Sequence, residues 1–303
     1  MKILITGDNH IDFIYDKDVF EMFFKSCQTV QPDVIINLGD LVNSWMVARQ
    51  RKAILSDILN CKTLYVPGNH DLWSPHARSK LNPEASFDKV LNEFSCFDAQ
   101  PLETSFDDMD TVKIFKDRNC AFVGTMGFPD FSHKKLVMPQ EYYEKRLCTN
   151  DGTYIDLTHG WLIYTHKILS SFKKRVQKAI DSDCKYIVVA THYPIFEGQS
   201  MFDGSDISAY FFCHEAGEII RRFALDYPDR KFACFAAHSH DYCRGRLTQE
   251  DQNIVSYGLQ ADYRRLTFIV FDTEQDSIEP ETFWFRETPR WAASYLGSII
   301  ESR

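Results

Sequence analysis

The sequence lacks any apolar run that approaches the roughly 18 residues needed to cross a bilayer. Its N-terminal run, Lys2-Ile-Leu-Ile-Thr-Gly, is too short for the apolar part of a secretion signal, and Asp8 and His10 interrupt any extension of it. These absences predict a protein that neither spans nor enters a membrane.

The sequence also lacks the paired cysteines of a disulfide scaffold. Its nine cysteines are odd in number, lie far apart and include no C-x-x-C pair. We therefore expect reduced and mostly buried thiols, and a cytoplasmic protein, because structural disulfides are rare in that compartment.

Glycine and proline are scarce, with 13 and 11 among 303 residues, and no repeat or low-complexity tract is present. Collagen-like and disordered chains are thereby excluded, and 44% hydrophobic with 25% charged residues is typical of globular proteins. The length allows one large α/β domain or two smaller ones. Because no Pro/Gly/Ser-rich linker divides the chain, we predict a single domain over residues 1–303.

The charge balance is acidic, with 34 Lys and Arg against 43 Asp and Glu and a formal net charge of -9. A broad polyphosphate-binding surface is therefore unexpected, although a local basic or metal-filled cleft is compatible with this balance. Nucleic acid is disfavoured as a partner but is not excluded.

Short apolar runs rich in β-branched residues alternate with helical patterns, which predicts an α/β fold. The predicted strands are Lys2–Thr6, Asp33–Leu38, Thr63–Val66, Cys120–Thr125, Tyr186–Ala190, Lys231–Ala236, Asn253–Tyr257 and Leu266–Phe271. The predicted helices are Asp18–Val30, Trp161–Ile180 and Glu215–Leu225.

Three stretches show no regular pattern, over residues 72–116, 128–156 and 196–213. Irregular segments of this length in a compact domain are usually functional. We expect them to form long loops around the active site.

Polar side chains collect where the predicted strands end. The clusters are Gly7-Asp8-Asn9-His10, Gly39-Asp40, Gly68-Asn69-His70-Asp71, Thr191-His192 and His238-Ser239-His240. Ligands of open α/β sheets bind beyond the carboxyl ends of the strands, so these clusters are expected to converge on one crevice. Buried together they need a cation, and Asp, Asn and neutral His suit first-row transition ions. The pattern predicts a metal site.

These clusters resemble, in order, the D-x-H, G-D-x-x-D/N, G-N-H-D/E, H and G-H-x-H blocks of the calcineurin-like metallophosphoesterases. The resemblance covers most of the chain. It implies an α/β fold of two stacked mixed β-sheets flanked by helices. It also implies two divalent or trivalent transition metal ions, Mn, Fe or Zn, which hold a hydroxide that hydrolyses a phosphoester.

The resemblance also implies the roles of individual residues. One ion is assigned to Asp8, His10 and His240, the other to Asn69, His192 and His238, and Asp40 is assigned to both. His70 is expected beside the leaving oxygen as a general acid or as a group that stabilises the developing alkoxide. Asn43 is expected to orient the His70 ring, and Asp71 is grouped with these catalytic residues.

The sequence departs from the family pattern at two places. Ala237 replaces the glycine of G-H-x-H, so either this turn needs no positive φ or the two ligands shift slightly. Ser44-Trp45-Met46 lacks the arginine that follows this block in phosphoprotein phosphatases, which disfavours that activity.

Other candidate residues lie outside the motif blocks. Arg244, Arg246, Arg264 and Arg265 follow the last metal block and are candidates for phosphate contact. Trp73 either stacks on a substrate or anchors the packing, and the basic run 173–175 is expected on a solvated helix face.

The sequence predicts hydrolysis of a small phosphorylated molecule, with a phosphodiester slightly preferred over a monoester. A DNA-processing nuclease of the same superfamily and a non-catalytic scaffold on this fold remain as alternatives.

Overall fold

A computed structural model describes residues 1–10, 17–41, 63–73, 80–94, 99–103, 111–132, 142, 150–156, 161–200, 209–240, 246–261 and 265–284. Within these ranges the strands are β1 (Lys2–Thr6), β2 (Val34–Asn37), β3 (Thr63–Tyr65), β4 (Ala99–Pro101), β5 (Lys113–Phe115), β6 (Cys120–Thr125), β7 (Tyr186–Thr191), β8 (Lys231–Ala236), β9 (Arg246–Asp251), β10 (Ile254–Gly258), β11 (Arg265–Asp272) and β12 (Ser277–Trp284). The α-helices are α1 (Lys17–Val30), α2 (Asn69–Leu72), α3 (Pro83–Phe94), α4 (Asn150–Tyr154), α5 (Trp161–Asp181) and α6 (His214–Asp226).

The described strands form two six-stranded sheets. Their orders are β12-β11-β1-β2-β3-β4 and β5-β6-β7-β8-β10-β9. Each sheet has a parallel centre, with antiparallel strands at one edge of the first sheet, β11 and β12, and at both edges of the second, β5 and β9. The predicted fold of two mixed sheets flanked by helices is confirmed.

Alternation along the strands explains how the layers pack. Ile3 of β1 and Val188 of β7 lie in the core between the sheets. Leu4 packs with α1 on one outer face, whereas Val189 packs with α5 and α6 on the other. Full burial of such a side chain contributes about 1.5–3 kcal/mol, so these three layers hold the sheets in place.

The eight strands predicted from the sequence are present within one residue at each end, but β4, β5, β9 and β12 are not predicted. β4 and β5 have three residues each, β9 is mostly polar, and β12 contains Pro280, which an edge strand tolerates. No helix in the described part of the chain is long and apolar enough to cross a membrane.

Helix α3 lies inside a stretch predicted to be irregular. Asn82 caps it by accepting a hydrogen bond from the Ala85 N–H at 2.8 Å, and Pro83 is its first residue. Phe87 and Val90 are fully buried one turn apart. The start of this helix was therefore detectable in the sequence, and the irregular pattern expected there is wrong over Pro83–Phe94.

Arg175 corrects the expectation for the basic run 173–175. It is fully buried, and its Nη2 donates to Glu103 Oε1 at 2.6 Å. Glu103 Oε2 also accepts the N–H of Met126, just past β6, at 2.7 Å. This ion pair therefore ties α5 to the segment that leaves β6, whereas Lys173 and Lys174 are exposed as expected.

We expect Arg175→Met to lower the free energy of unfolding by about 3–5 kcal/mol, because Glu103 would remain buried without its counterion. Urea denaturation measures the change, with Lys174→Met as the matched exposed control. Equal stability of the two variants would contradict a structural role for the pair.

Candidate metal centre

The ends of five parallel strands bring the seven predicted metal ligands together. Donor atoms of Asp8, His10, Asp40 and His240 lie within 4.8 Å of one another, and so do those of Asp40, His192 and His238. Asp40 belongs to both groups. The structure therefore places a carboxylate between two sets of nitrogen and oxygen donors.

The backbone is strained at these residues. A positive φ, which L-residues rarely adopt, occurs at five of them: Asp8 (48°), His10 (40°), Asp40 (53°), His238 (64°) and His240 (45°). Such conformations persist only where the surrounding structure enforces them, and they cluster at functional sites. The strain therefore marks this cluster as more than a set of capped strand ends.

The replacement of glycine by Ala237 is compatible with this turn. Among the described residues with positive φ are His238 and His240 but not Ala237, so the left-handed positions fall on the histidines themselves. A Cβ on Gly7 would lie 2.8 Å from Leu38 Cβ and 3.3 Å from Ala237 Cβ. Gly7, rather than position 237, is thus the residue that must lack a side chain.

The Asn69 side chain faces two imidazoles. Its Oδ1 lies 2.9 Å from His192 Nε2 and 3.1 Å from His238 Nδ1, and these two nitrogens are 3.2 Å apart. The amide orientation is fixed because Asn69 Nδ2 donates to Asp151 Oδ1 at 2.9 Å.

The His192 tautomer is fixed in the same way. His192 Nδ1 lies 2.8 Å from the Leu38 carbonyl oxygen, which only accepts, so Nδ1 carries the proton. Nε2 of the neutral ring is then an acceptor that faces the acceptor oxygen of Asn69. Two acceptors in contact repel each other, whereas a cation between them is bound by both.

The other group of donors has the same character. His10 Nε2 lies 3.4 Å from His240 Nε2 and 3.8 Å from Asp40 Oδ2. Asp40 Oδ2 is in turn 3.5 Å from His192 Nε2. Both oxygens of Asp8 and Oδ2 of Asp40 are buried without a hydrogen-bond partner. Buried acceptors of this kind fit a site for cations.

Burial dominates the electrostatics of the cluster. It raises the pKa of the Asp8 and Asp40 carboxyl groups above their ordinary value, and neighbouring carboxylates raise the pKa of Asp40 further. Burial also lowers the pKa of His10 and His238, and it lowers that of His192 to about 3. The imidazoles are therefore neutral, as metal ligands must be, and a cation would restore the charge of the carboxylates.

Asp71 holds the turns that carry the ligands. Its Oδ2 accepts the N–H of Asp40 at 2.9 Å and that of Gly68 at 2.8 Å. A Cβ on Gly68 would lie only 2.1 Å from Asp40 Oδ1, so glycine is required there. These contacts give Asp71 a positioning role, and its assignment to the catalytic residues stays a prediction.

His70 lies beside both groups of donors and belongs to neither among the described residues. Its Nε2 is 3.8 Å from Asp40 Oδ2, and its ring stacks on Trp73 with centroids 3.7 Å apart. Trp73 is buried and also stacks on Tyr154 at 5.0 Å. Of the two interpretations left open by the sequence, the structure therefore favours a packing role for Trp73 over stacking on a substrate.

For five of the predicted site residues the structure gives no side-chain position. Arg246 and Arg265 are the first residues of β9 and β11, and Arg246 pairs with Gly258 at the carboxyl end of β10. Asn43, Arg244 and Arg264 lie outside the described residues. Their assigned roles remain predictions.

Sequence reasoning missed two groups of residues. The first is Asp151 in α4, which contacts Asn69. The sequence indicates it only by its position within residues 128–156, one of the stretches expected around the active site. The second group is a pair of asparagines near the ends of β1 and β2. Asn9 Nδ2 donates to Thr6 Oγ1 at 2.9 Å, and Asn37 Oδ1 accepts the Gly39 N–H at 2.9 Å. Asn9 stands at the variable position of D-x-H, so no motif indicates its role.

Known proteins match this chain at the level of family and fold. A model of the calcineurin-like phosphoesterase family matches residues 1–242. No curated protein matches the chain at a significant level. The structure is similar to the protein TT1561 of Thermus thermophilus, with a TM-score of 0.53, 13% identity, and coverage of 92% of this chain and 97% of that one. It is also similar to a dimetal phosphatase from Danio rerio, with a TM-score of 0.49, 10% identity and coverage of 94% and 99%.

The likeness to the Thermus protein, at 13% identity, shows the fold only. The fold and the donor cluster together define an α/β sandwich with a candidate metal centre. Because the family model covers residues 1–242 of the 303, the chain belongs to the calcineurin-like phosphoesterase family. It is a metallophosphoesterase, an enzyme that hydrolyses phosphoester bonds.

We expect Asp71→Leu to lower the free energy of unfolding by about 1–3 kcal/mol for each of the two backbone N–H groups left without an acceptor. Asp71→Asn is the matched control, since its amide oxygen can still accept both hydrogen bonds. Urea denaturation compares the two, and equal losses in both variants would contradict the positioning role.

Proposed function

We propose that the protein hydrolyses a small phosphorylated molecule at a centre of two transition metal ions, Mn, Fe or Zn. Asp8, His10 and His240 would hold one ion, Asn69, His192 and His238 would hold the other, and Asp40 would contact both. The observation that carries this proposal is the position of Asp40 Oδ2, which is buried without a hydrogen-bond partner between His10 and His192.

Bound metal ions supply a water activated near neutral pH and positive charge for the phosphoryl oxygens. The chain supplies the geometry. His70, His238 and His240 are half-buried, whereas the other donors are buried, so the substrate enters from the side of these histidines. Phe211, with its ring 5.1 Å from that of His238, lies at the same entrance.

His70 supports departure of the leaving group. Its backbone N–H donates to Asp40 Oδ1 at 2.9 Å, and Trp73 fixes the plane of its ring. The ring can therefore donate an N–H to the leaving oxygen without being a ligand. His70 is half-buried at the proposed entrance and belongs to neither donor group among the described residues. This position favours a role beside the leaving group over metal binding.

A phosphodiester is preferred as the substrate class, since it carries one negative charge less than a monoester dianion. This choice is supported by the net charge of -9 and by the absence of arginine from Ser44-Trp45-Met46. The acidic balance also disfavours DNA, and retention of all seven donors with His70 disfavours a non-catalytic scaffold.

The test compares p-nitrophenyl phosphate with bis(p-nitrophenyl) phosphate, which have the same leaving group. Metal-depleted protein should be inactive and should recover with Mn²⁺, with a higher kcat/KM for the diester. Asp40→Asn should lose both ions and activity, because an amide is a poor bridge. Full turnover by metal-free protein would refute the proposal, faster monoester hydrolysis would reverse the substrate preference, and cleavage of linear DNA alone would favour the nuclease.

We expect His70→Ala to keep its metal content while kcat falls by about 10²–10⁴-fold. The loss should be much larger for an alkyl ester than for a nitrophenyl ester, since an alkoxide needs a proton donor and a nitrophenolate does not. His166→Ala, at an exposed position of α5, is the control. Loss of metal in His70→Ala, or equal losses for both esters, would reassign this residue.

A further inference from the structure

Helix α4 contacts the candidate metal centre through one carboxylate. Asp151 Oδ1 accepts hydrogen bonds from Asn69 Nδ2 at 2.9 Å and from Trp73 Nε1 at 2.8 Å. Asp151 is buried, with 8% of its surface exposed. A buried carboxylate that accepts two side-chain donors fixes the direction of both.

The direction of the Asn69 amide decides what this side chain can bind. With Nδ2 on Asp151, Oδ1 points at the two nitrogens of His192 and His238. With the amide reversed, Nδ2 would donate to His192 Nε2, and an internal hydrogen bond would replace the ligand arrangement. Asp151 disfavours the reversed amide, because Oδ1 would then face a carboxylate.

The backbone around Asp151 is itself anchored. Ile155 bridges to Leu81, and the N–H of Asp156 donates to the Leu81 carbonyl oxygen at 2.8 Å. Lys80 Nζ donates to the Gly152 carbonyl oxygen at 2.7 Å. The backbone that carries Asp151 is therefore anchored by contacts that do not involve Asn69.

We propose that Asp151 is a positioning residue that selects the ligand orientation of Asn69 and thereby sets the affinity of the Asn69, His192 and His238 site for its ion. This inference rests on the metal assignment proposed above. Groups that orient a metal ligand typically change metal affinity by about 10–100-fold when removed.

The contact with Trp73 extends the same control toward His70. The Trp73 Nε1–H donates to Asp151, and the face of the Trp73 ring stacks on His70. One carboxylate therefore fixes a ligand of one ion and the ring that supports the proposed leaving-group residue. Asp151 contacts the ligand Asn69 of the other proposed site, so the Asp8, His10 and His240 site serves as an internal reference.

The experiment titrates metal-depleted protein with Mn²⁺ by calorimetry and measures the metal retained after dialysis. Asp151→Leu and Asp151→Ala remove the acceptor, Asp151→Asn keeps it, and Asp156→Ala changes a carboxylate in the same segment. Circular dichroism checks the folding of each variant, and either acceptor-free variant is sufficient for the test.

We expect wild type and Asp156→Ala to bind two ions. An acceptor-free variant should bind one ion with unchanged affinity and the other about 10–100-fold more weakly. Asp151→Asn should recover most of this loss, which a purely structural defect would not do.

Two ions with wild-type affinity in an acceptor-free variant would overturn the inference, and so would equal weakening of both ions or a failure of Asp151→Asn to recover the loss. Misfolding of both acceptor-free variants would also overturn it, because Asp151 would then be needed for the fold itself. Wild-type protein that binds no metal would instead refute the proposed function.

Discussion

A single buried carboxylate, Asp40, is the constraint on which the rest of the site depends. Its backbone N–H is held by Asp71, and its Oδ1 accepts the backbone N–H of His70. Its Oδ2 is left facing His10 and His192, at 3.8 Å and 3.5 Å. Burial of a carboxylate without a counterion is costly, so this group must either be protonated or be paired with bound cations.

The surroundings of Asp40 are arranged for cations. His192 Nδ1 donates to the Leu38 carbonyl oxygen, and Asn69 Nδ2 donates to Asp151. The remaining atoms of these two side chains, which face each other, are therefore both acceptors. Five of the seven predicted ligands have a positive φ. These local costs are of the kind that proteins accept at functional sites and offset through the rest of the fold. Here the offset comes from the three apolar layers around the two sheets.

The sequence predicted those parts of the molecule that follow local rules. Strands such as β7 are short, apolar and rich in β-branched residues, and they end at Gly or polar clusters, so their bounds were predicted closely. The metal blocks occur as contiguous motifs, and the structure brings their residues into one site. Burial of Arg175 depends on Glu103, which lies 72 positions away, and no local pattern shows it. Asp151 is similarly separated from Asn69, so its contact arises only when the chain is folded.

The most direct test of two ions shared by Asp40 is anomalous diffraction from crystals grown with Mn²⁺. We expect two anomalous peaks about 3.5–4 Å apart, one on each side of Asp40 Oδ2. One peak lies among Asp8, His10 and His240, and the other among Asn69, His192 and His238. A single peak, or two peaks of which one does not contact Asp40, would contradict the shared carboxylate and the dinuclear centre built on it.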